Sequence, residues 1–358
     1  MSLILQCFPI KMAIFSVKRT ERSCFFKKWA LCFFFILLTS LRLLAQDTAV
    51  TVLPKDTLLA ESVSIINTSA PKSLTPEEVK KRVRLVTVVN IVGYTAILAY
   101  LNQAWYANYP RSPFHFFNDN AEWLQVDKVG HMYSAYIESR ASAELWRWAG
   151  VSRNKRIWLG GLSGVAYQSI IEILDGFSAE WGFSWGDFAA NVVGSGIFIG
   201  QEFAWDDQRI KIKFSSHRIN YVNPQLEKRA DEIFGSSTAQ RYLKDYNAQT
   251  YWASVNLKSF FPKSKLPPWL AVAFGYGADG MFGATENVGY DAEGNINFYR
   301  PDIKRYRQWY FAPDVDFTKI KTNSKAIRFL LTVLSAFKFP TPALEFSNGK
   351  FKVVAIHF

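Results

Sequence analysis

Asp127-Lys128-Val129-Gly130-His131, then Glu172-Ile173-Leu174-Asp175-Gly176, then Trp185-Gly186-Asp187-Phe188-Ala189-Ala190-Asn191 are the stretches that decide how this chain is read. Each sets acidic, amide or imidazole groups into apolar, small-residue-rich sequence of helical character. An ionised side chain facing lipid costs on the order of 3 kcal/mol at a helix centre, so Asp127, His131, Glu172 and Asp187 left apart would weigh roughly 10 kcal/mol against the fold. The four are therefore expected to face one another, making a polar centre inside an apolar helical bundle.

Helical periodicity extends outward from these stretches. It predicts helices over about Glu122 to Ala149, Lys155 to Leu174 and Trp185 to Trp205. A further helix starts at Thr75-Pro76-Glu77-Glu78, a capping box with proline in the first turn. Its apolar body, Leu85 to Leu101, is about 25 Å long, which fits either a short membrane span or a buried helix. Basic residues at its start and Trp105, Tyr106 and Tyr109 at its end resemble interfacial anchors. Gly160 with Gly164, and Gly196 with Gly200, have the spacing that lets helices approach closely.

Upstream, residues 1–45 read as an export signal: basic groups up to Lys28, then an apolar run from Trp29 to Leu38. An uncleaved anchor is the alternative. This leader has seven basic groups against one acid, so it holds +6 of the formal +12; the rest is too mildly basic, and lacks the basic stripe, for a nucleic-acid partner. Cys7, Cys24 and Cys32 all lie in the leader, so a chain matured near Gln46 is expected to have no disulfide or thiolate chemistry. Aromatic residues make up 16% of the chain, which suits a membrane interface or a large core.

Downstream the composition changes. A helical piece is expected near Asn223 to Tyr246, then alternating runs over Ala253 to Phe261, Trp269 to Tyr276, Arg307 to Ile320 and Lys350 to Phe358, with a helix over Asn323 to Phe337. Pro313 marks an edge or bulge. The expected organisation is a signal peptide (1–45), a linker (46–74), a helical bundle with the polar centre (75–207), a helical connector (208–250) and a β-rich C-terminal domain with one helix (251–358). The fold class is α+β: an N-terminal four-helix bundle, membrane-embedded or membrane-apposed, followed by a small antiparallel sheet domain.

Asp127 and His131 stand at i and i+4 and share a helix face, as do Asp187 and Asn191. With Glu172 on a third helix, hard oxygen donors and one imidazole can converge on a divalent cation such as Mg, Mn or Zn. The candidate ligands are Asp127, His131, Glu172 and Asp187; Lys128 would meet a phosphate, and Asn191 completes the candidate catalytic set. Two other readings remain open: a satisfied hydrogen-bond network that fixes helix register, with Lys128 pairing Asp127, and a polar ligand pocket. The tryptophans of Trp181-Gly182-Phe183-Ser184-Trp185 can cover the centre or meet a membrane surface. Ser184 also reads as a helix cap. His115 is expected in a loop, and His217 and His357 exposed. No phosphate loop, dinucleotide fingerprint, nucleophile elbow or zinc-protease pair is present.

On Asp127-Lys128-Val129-Gly130-His131, Glu172-x-x-Asp175-Gly176 and Trp185-Gly186-Asp187-x-x-Ala190-Asn191-x-x-Gly194, residues 127 to 205 resemble the YfiM-type domain-of-unknown-function family of exported envelope proteins. The same order of groups is similar to that of VanZ-like membrane proteins, a family associated with glycopeptide tolerance. The resemblance implies a cell-envelope address, periplasm-facing and membrane-associated, and a shared polar centre at Asp127, Lys128, His131, Glu172, Asp187 and Asn191. The chain departs from the short form by lacking a lipobox cysteine, and from the VanZ-like pattern by its leader and long tail. The expected partners are a membrane or membrane-surface lipid, and a protein docking on the C-terminal domain. The expected role is binding or hydrolysis of a lipid-linked phosphoester with a divalent metal; the alternative is a non-catalytic envelope scaffold.

Overall fold

The computed structural model describes residues 74–104, 110–291 and 293–357. The leader, the linker up to residue 73, the three cysteines, the aromatic anchors at 105, 106 and 109, and Phe358 lie outside them. The chain is of mixed class, with α-helices and an antiparallel sheet.

Helix α1 (Pro76–Ala104) opens with the expected capping box: the Thr75 amide donates to Glu78 Oε2 at 2.8 Å, and the Glu78 amide to Thr75 Oγ1 at 3.2 Å. Helices α2 (Val126–Trp148), α3 (Arg153–Gly176) and α4 (Trp185–Trp205) pack against one another. Three helices share this core where four are expected. α1 lies alongside, held by Arg82 on Trp148 and by Tyr94 stacked on Tyr167 at 4.7 Å, while Val88, Ile91 and Val92 stay exposed. By length and composition alone, α1 over Pro76–Ala99 and α3 are apolar enough to cross a membrane.

Gly160 and Gly164 do what their spacing predicts: an added Cβ would fall within 2.8 Å of the Ala143 backbone at Gly160 and 2.3 Å from the Ala135 carbonyl at Gly164. The second pair differs. Gly196 and Gly200 face open space, and it is Gly194 that lies against the Met132 carbonyl of α2.

The stretch before α2 is expected as helix, yet Trp123, Leu124 and Gln125 adopt left-handed φ values of 48°, 49° and 64°. Each such residue costs on the order of 1–2 kcal/mol. The turn is pinned from outside. Trp123 donates its amide to Ala284 and packs between Phe234 and Tyr246, the Leu124 carbonyl accepts from Tyr276, and Gln125 accepts from Arg307 at 2.5 Å.

The main sheet runs β1-β2-β3-β6-β7-β8, every neighbour antiparallel: β1 (Ile210–Ser216), β2 (Gln249–Asn256), β3 (Leu270–Asp279), β6 (Tyr306–Val315), β7 (Thr341–Ser347) and β8 (Lys350–His357). A separate hairpin pairs β4 (Val288–Tyr290) with β5 (Ile296–Tyr299). Segment 208–250, expected as a helical connector, therefore supplies the first strand as well as helices α5 (Pro224–Phe234) and α6 (Thr238–Lys244). The run over Ala253 to Phe261 stops being strand at Asn256, whose side chain caps the short helix α7 (Leu257–Phe260). Helix α8 (Lys325–Leu334) precedes a segment whose Phe337 pairs with Phe214, covering the outer edge of β1.

Pro313 is neither an edge-strand residue nor a bulge. It sits on an interior strand opposite Val272, but beyond the Gln308–Phe311 stretch that pairs with β7, so its missing N–H breaks no ladder. The helical core rests on β1 and β2, where Tyr133 meets Phe214 and Tyr251 at 5.7 Å each. Across the opposite face the sheet rolls back on itself. His357 of β8 stacks on Tyr310 at 4.1 Å and lies 3.2 Å from Thr250 of β2, so it is not the exposed residue the sequence suggests; His217 is likewise partly buried.

Candidate functional site

Helix α2 carries Asp127, Lys128 and His131 in its first two turns, α4 carries Asp187 and Asn191 in its first two, and Glu172 stands about one turn before the end of α3. Their convergence is thus at one end of the helical core rather than at its middle. The left-handed turn at Trp123–Gln125 sets where α2 begins. Ser184 sets where α4 begins: its Oγ accepts from the Asp187 amide at 3.1 Å and donates to Asp119 at 2.5 Å.

Two cations organise the carboxylates. Lys128 Nζ lies 2.7 Å from Asp119, 3.2 Å from Asp127 and 2.8 Å from Asp187. His131 divides the rest between its two ring nitrogens. Nδ1 is 3.3 Å from Asn191 Oδ1 and 3.4 Å from Glu172 Oε1, whereas Nε2 faces Asp127 Oδ1 at 3.9 Å and Asp187 Oδ1 at 3.8 Å. In the charged ring both nitrogens donate toward these oxygens; in the neutral ring with its proton on Nδ1 toward Asn191, the Nε2 lone pair faces the two aspartates.

All six sequence-derived positions therefore meet, but not as one ligand set. Asp127, His131 and Asp187 each offer an atom within 4.8 Å of the others. Glu172, the fourth expected ligand, lies outside this group of three and stands 3.4 Å from the other nitrogen of the ring. Regular coordination at about 2.0–2.2 Å puts ligand atoms roughly 3.4 Å apart in a tetrahedron. The His131 distances of 3.9 and 3.8 Å need only a small contraction to reach that.

Burial and charge oppose each other here. Desolvation pulls the His131 ring down, but Asp127, Asp187 and Glu172 together outweigh it and hold the ring above its ordinary value. Burial pushes Glu172 up to about 8 and Asp187 up to about 7. Burial also disfavours charge on Lys128, yet its carboxylates keep it raised, and hydrogen bonds from Asp187, Lys128 and Ser184 hold Asp119 below the ordinary range despite burial.

Several participants carry no signal in the sequence. Asp119 lies in a loop without periodicity, and Tyr246, whose hydroxyl donates to Asp127 Oδ1 at 2.9 Å, comes from beyond the helical region. Glu138 is different: at seven residues from His131 it falls on the same face of α2, so helical spacing alone points to it. Its Oε1 accepts from Gln168 at 2.8 Å, and burial lifts it to about 8. Beside the site, Trp185 stacks on Phe116 at 5.9 Å and meets Phe183 edge-on at 5.0 Å, leaving an exposed aromatic shelf. His115, a loop residue as expected, stands behind this shelf with its ring 3.2 Å from Ser112.

A family profile described as a predicted periplasmic lipoprotein (DUF2279) matches residues 115–199, which include all six sequence-derived positions, Asp119, Glu138 and Ser184, but not Tyr246 or Ser112. No curated protein matches, and no solved structure matches. The match supports an exported, envelope-type domain over these residues, and the address of the protein is exported and envelope-associated.

Proposed function

We propose that the helix-end cluster is a divalent-cation site through which this envelope protein binds and hydrolyses a lipid-linked phosphoester. The observation that carries the reading is the division of labour on His131. One nitrogen is hydrogen-bonded to Asn191 with Glu172 beside it at 3.4 Å, and the other faces Asp127 and Asp187 at distances a cation can close. A carboxylate or amide behind a histidine fixes its tautomer and strengthens it as a ligand.

A bound ion would supply Lewis-acid polarisation of a phosphoryl oxygen and of water. Asp127, His131 and Asp187 would hold it, Glu172 and Asn191 would orient the ring, and Lys128 would turn one of its protons to a phosphate oxygen. The aromatic shelf at Trp185 and Phe116 suits the apolar part of such a molecule. The likeness to YfiM-type and VanZ-like sequences agrees with an envelope substrate.

One observation favours a second reading. Lys128 already bridges three carboxylates, so it can act as a built-in counter-ion for a cluster whose task is to fix helix pairing in a scaffold. The two readings differ in a measurable way. Purified wild-type protein is expected to bind Zn, Mn or Mg by calorimetry, to lose that binding in Asp187→Asn and His131→Ala with its circular dichroism intact, and to release phosphate from a prenyl monophosphate only with the metal. A wild type that stays metal-free and melts at one temperature with or without added ions would sink the cation reading and leave the scaffold.

A further inference from the structure

We infer that the outward face of strands β3, β6, β7 and β8 is a lipid-facing surface, seated against the hydrocarbon of an anionic bilayer. The inference is independent of the helix-end site, since it rests on the sheet alone.

Along β6 the alternation is inverted relative to that of a water-soluble sheet. Trp309 and Phe311 point outward and are 52% and 45% exposed, whereas Tyr310, Ala312 and Asp314 point inward and are buried. Register carries the pattern sideways. Phe274, Phe311, Leu344 and Val353 stand opposite one another across four strands, and so do Tyr276, Trp309, Phe346 and Phe351. These are two apolar ladders, and the phenylalanines, Trp309, Leu344 and Val353 are all exposed.

The other face holds the charges. Lys213 Nζ lies 2.7 Å from Asp314, with both side chains fully buried, and Lys211 Nζ lies 2.7 Å from Asp316. Ser254 and Asn256 add hydrogen bonds to the same two aspartates. A rolled sheet with ion pairs inside and aromatics outside has the polarity of membrane strands.

The dimensions and the rim agree. From Trp309 to Val315 the outer face of β6 runs about 20 Å at ~3.3 Å per residue, comparable with the apolar band of roughly 25 Å on membrane sheets. One end is bordered by exposed Lys304, Arg307 and Lys350, the other by exposed Lys263, Lys265 and Lys321, with Trp269 beside them. Positive rims on both sides of an apolar band complement anionic headgroups. They also argue against a second copy stacked on the same face, because two-fold symmetry would set basic rims against basic rims.

The test uses the full chain and vesicles of phosphatidylcholine with phosphatidylglycerol. With lipid brominated on its acyl chains, part of the tryptophan emission is expected to be quenched, and that part is expected to vanish in Trp309→Phe. Partitioning of Phe311→Glu should fall about tenfold below that of Phe311→Leu, the change for withdrawing one large apolar side chain from lipid. Should Phe311→Glu fail to fold, the Trp309 quenching on the wild-type sheet decides alone. Vesicle-bound protein with Trp309 unquenched overturns the inference, as does equal partitioning of the two folded variants. A lipid-free dimer that Phe311→Glu splits, with Trp309 unquenched in vesicles, would assign the face to a second copy instead.

Discussion

The sheet and the helix end both bury charge, and they finish the task differently. In the sheet each lysine has two close partners, Asp314 at 2.7 Å and the Val315 carbonyl at 2.8 Å for Lys213, Asp316 at 2.7 Å and the Gln208 carbonyl at 3.0 Å for Lys211, and Asp314 Oδ1 is left buried without a hydrogen bond, 3.7 Å from Lys338. At the helix end the nearest groups to the His131 ring stand at 3.3 to 3.9 Å, and Asn191 Nδ2 is buried without a hydrogen-bond partner. Short, direct ion pairs specify a fold; longer contacts around an imidazole leave room for a further ligand. The sheet pairs fit architecture, and the helix end fits the proposed cation site.

The contrast breaks most sharply at Lys213. Lys213→Met leaves Asp314 buried without its main counter-ion, and urea unfolding should show a loss of about 3–5 kcal/mol. Adding Asp314→Leu to Lys213→Met should restore only part of it, because Asp314 also faces the buried Lys338 ammonium at 3.7 Å, which then loses its carboxylate.

Glu172→Gln should behave in the opposite way. With Glu172 pushed to about 8, the carboxyl is mostly protonated at neutral pH, so its amide isostere should cost under about 1 kcal/mol of stability. Its effect should appear in calorimetric affinity for a divalent ion, lowered about tenfold through the loosened His131 ring. A large stability loss with unchanged affinity would place Glu172 with the sheet lysines.

The smallest effect is the response to pH. Glu172 and Asp187 have folded values of about 8 and about 7, above their unfolded ones, so the folded chain holds more protons than the unfolded chain between about pH 4 and 8. Their contribution to metal-free stability is full below the unfolded values and is lost as pH rises through 7 to 8. Melting temperature should decline over that window, and Glu172→Gln should flatten the decline. Ion affinity should move the other way, rising severalfold from pH 6 to 8 as protons cease to compete.

Much of the helical half was legible because its rules are local. The Thr75 capping box, the Gly160 and Gly164 contacts and the i, i+4 pairs each need only a few neighbouring residues. What escaped depends on distant partners. Ile210-Lys211-Ile212-Lys213-Phe214 alternates openly, yet lysines at every second place suggest a face in water; only Asp314 and Asp316, far along the chain, turn that face inward. The left-handed turn was hidden for the same reason, since Tyr276 and Arg307, which hold it, lie on strands of the sheet. The separation of Glu172 from the other three acidic and imidazole groups required knowing which edge of the His131 ring each one approaches.

That turn ties the two halves mechanically. Tyr276 of β3 grips the Leu124 carbonyl and Arg307 of β6 grips Gln125, two residues before Asp127, so any tilt of those strands is delivered as a tug on the first turn of α2. A sheet that settles into its surroundings would thereby shift Asp127 and Lys128 together, and the geometry around His131 would report what the far face of the protein is touching.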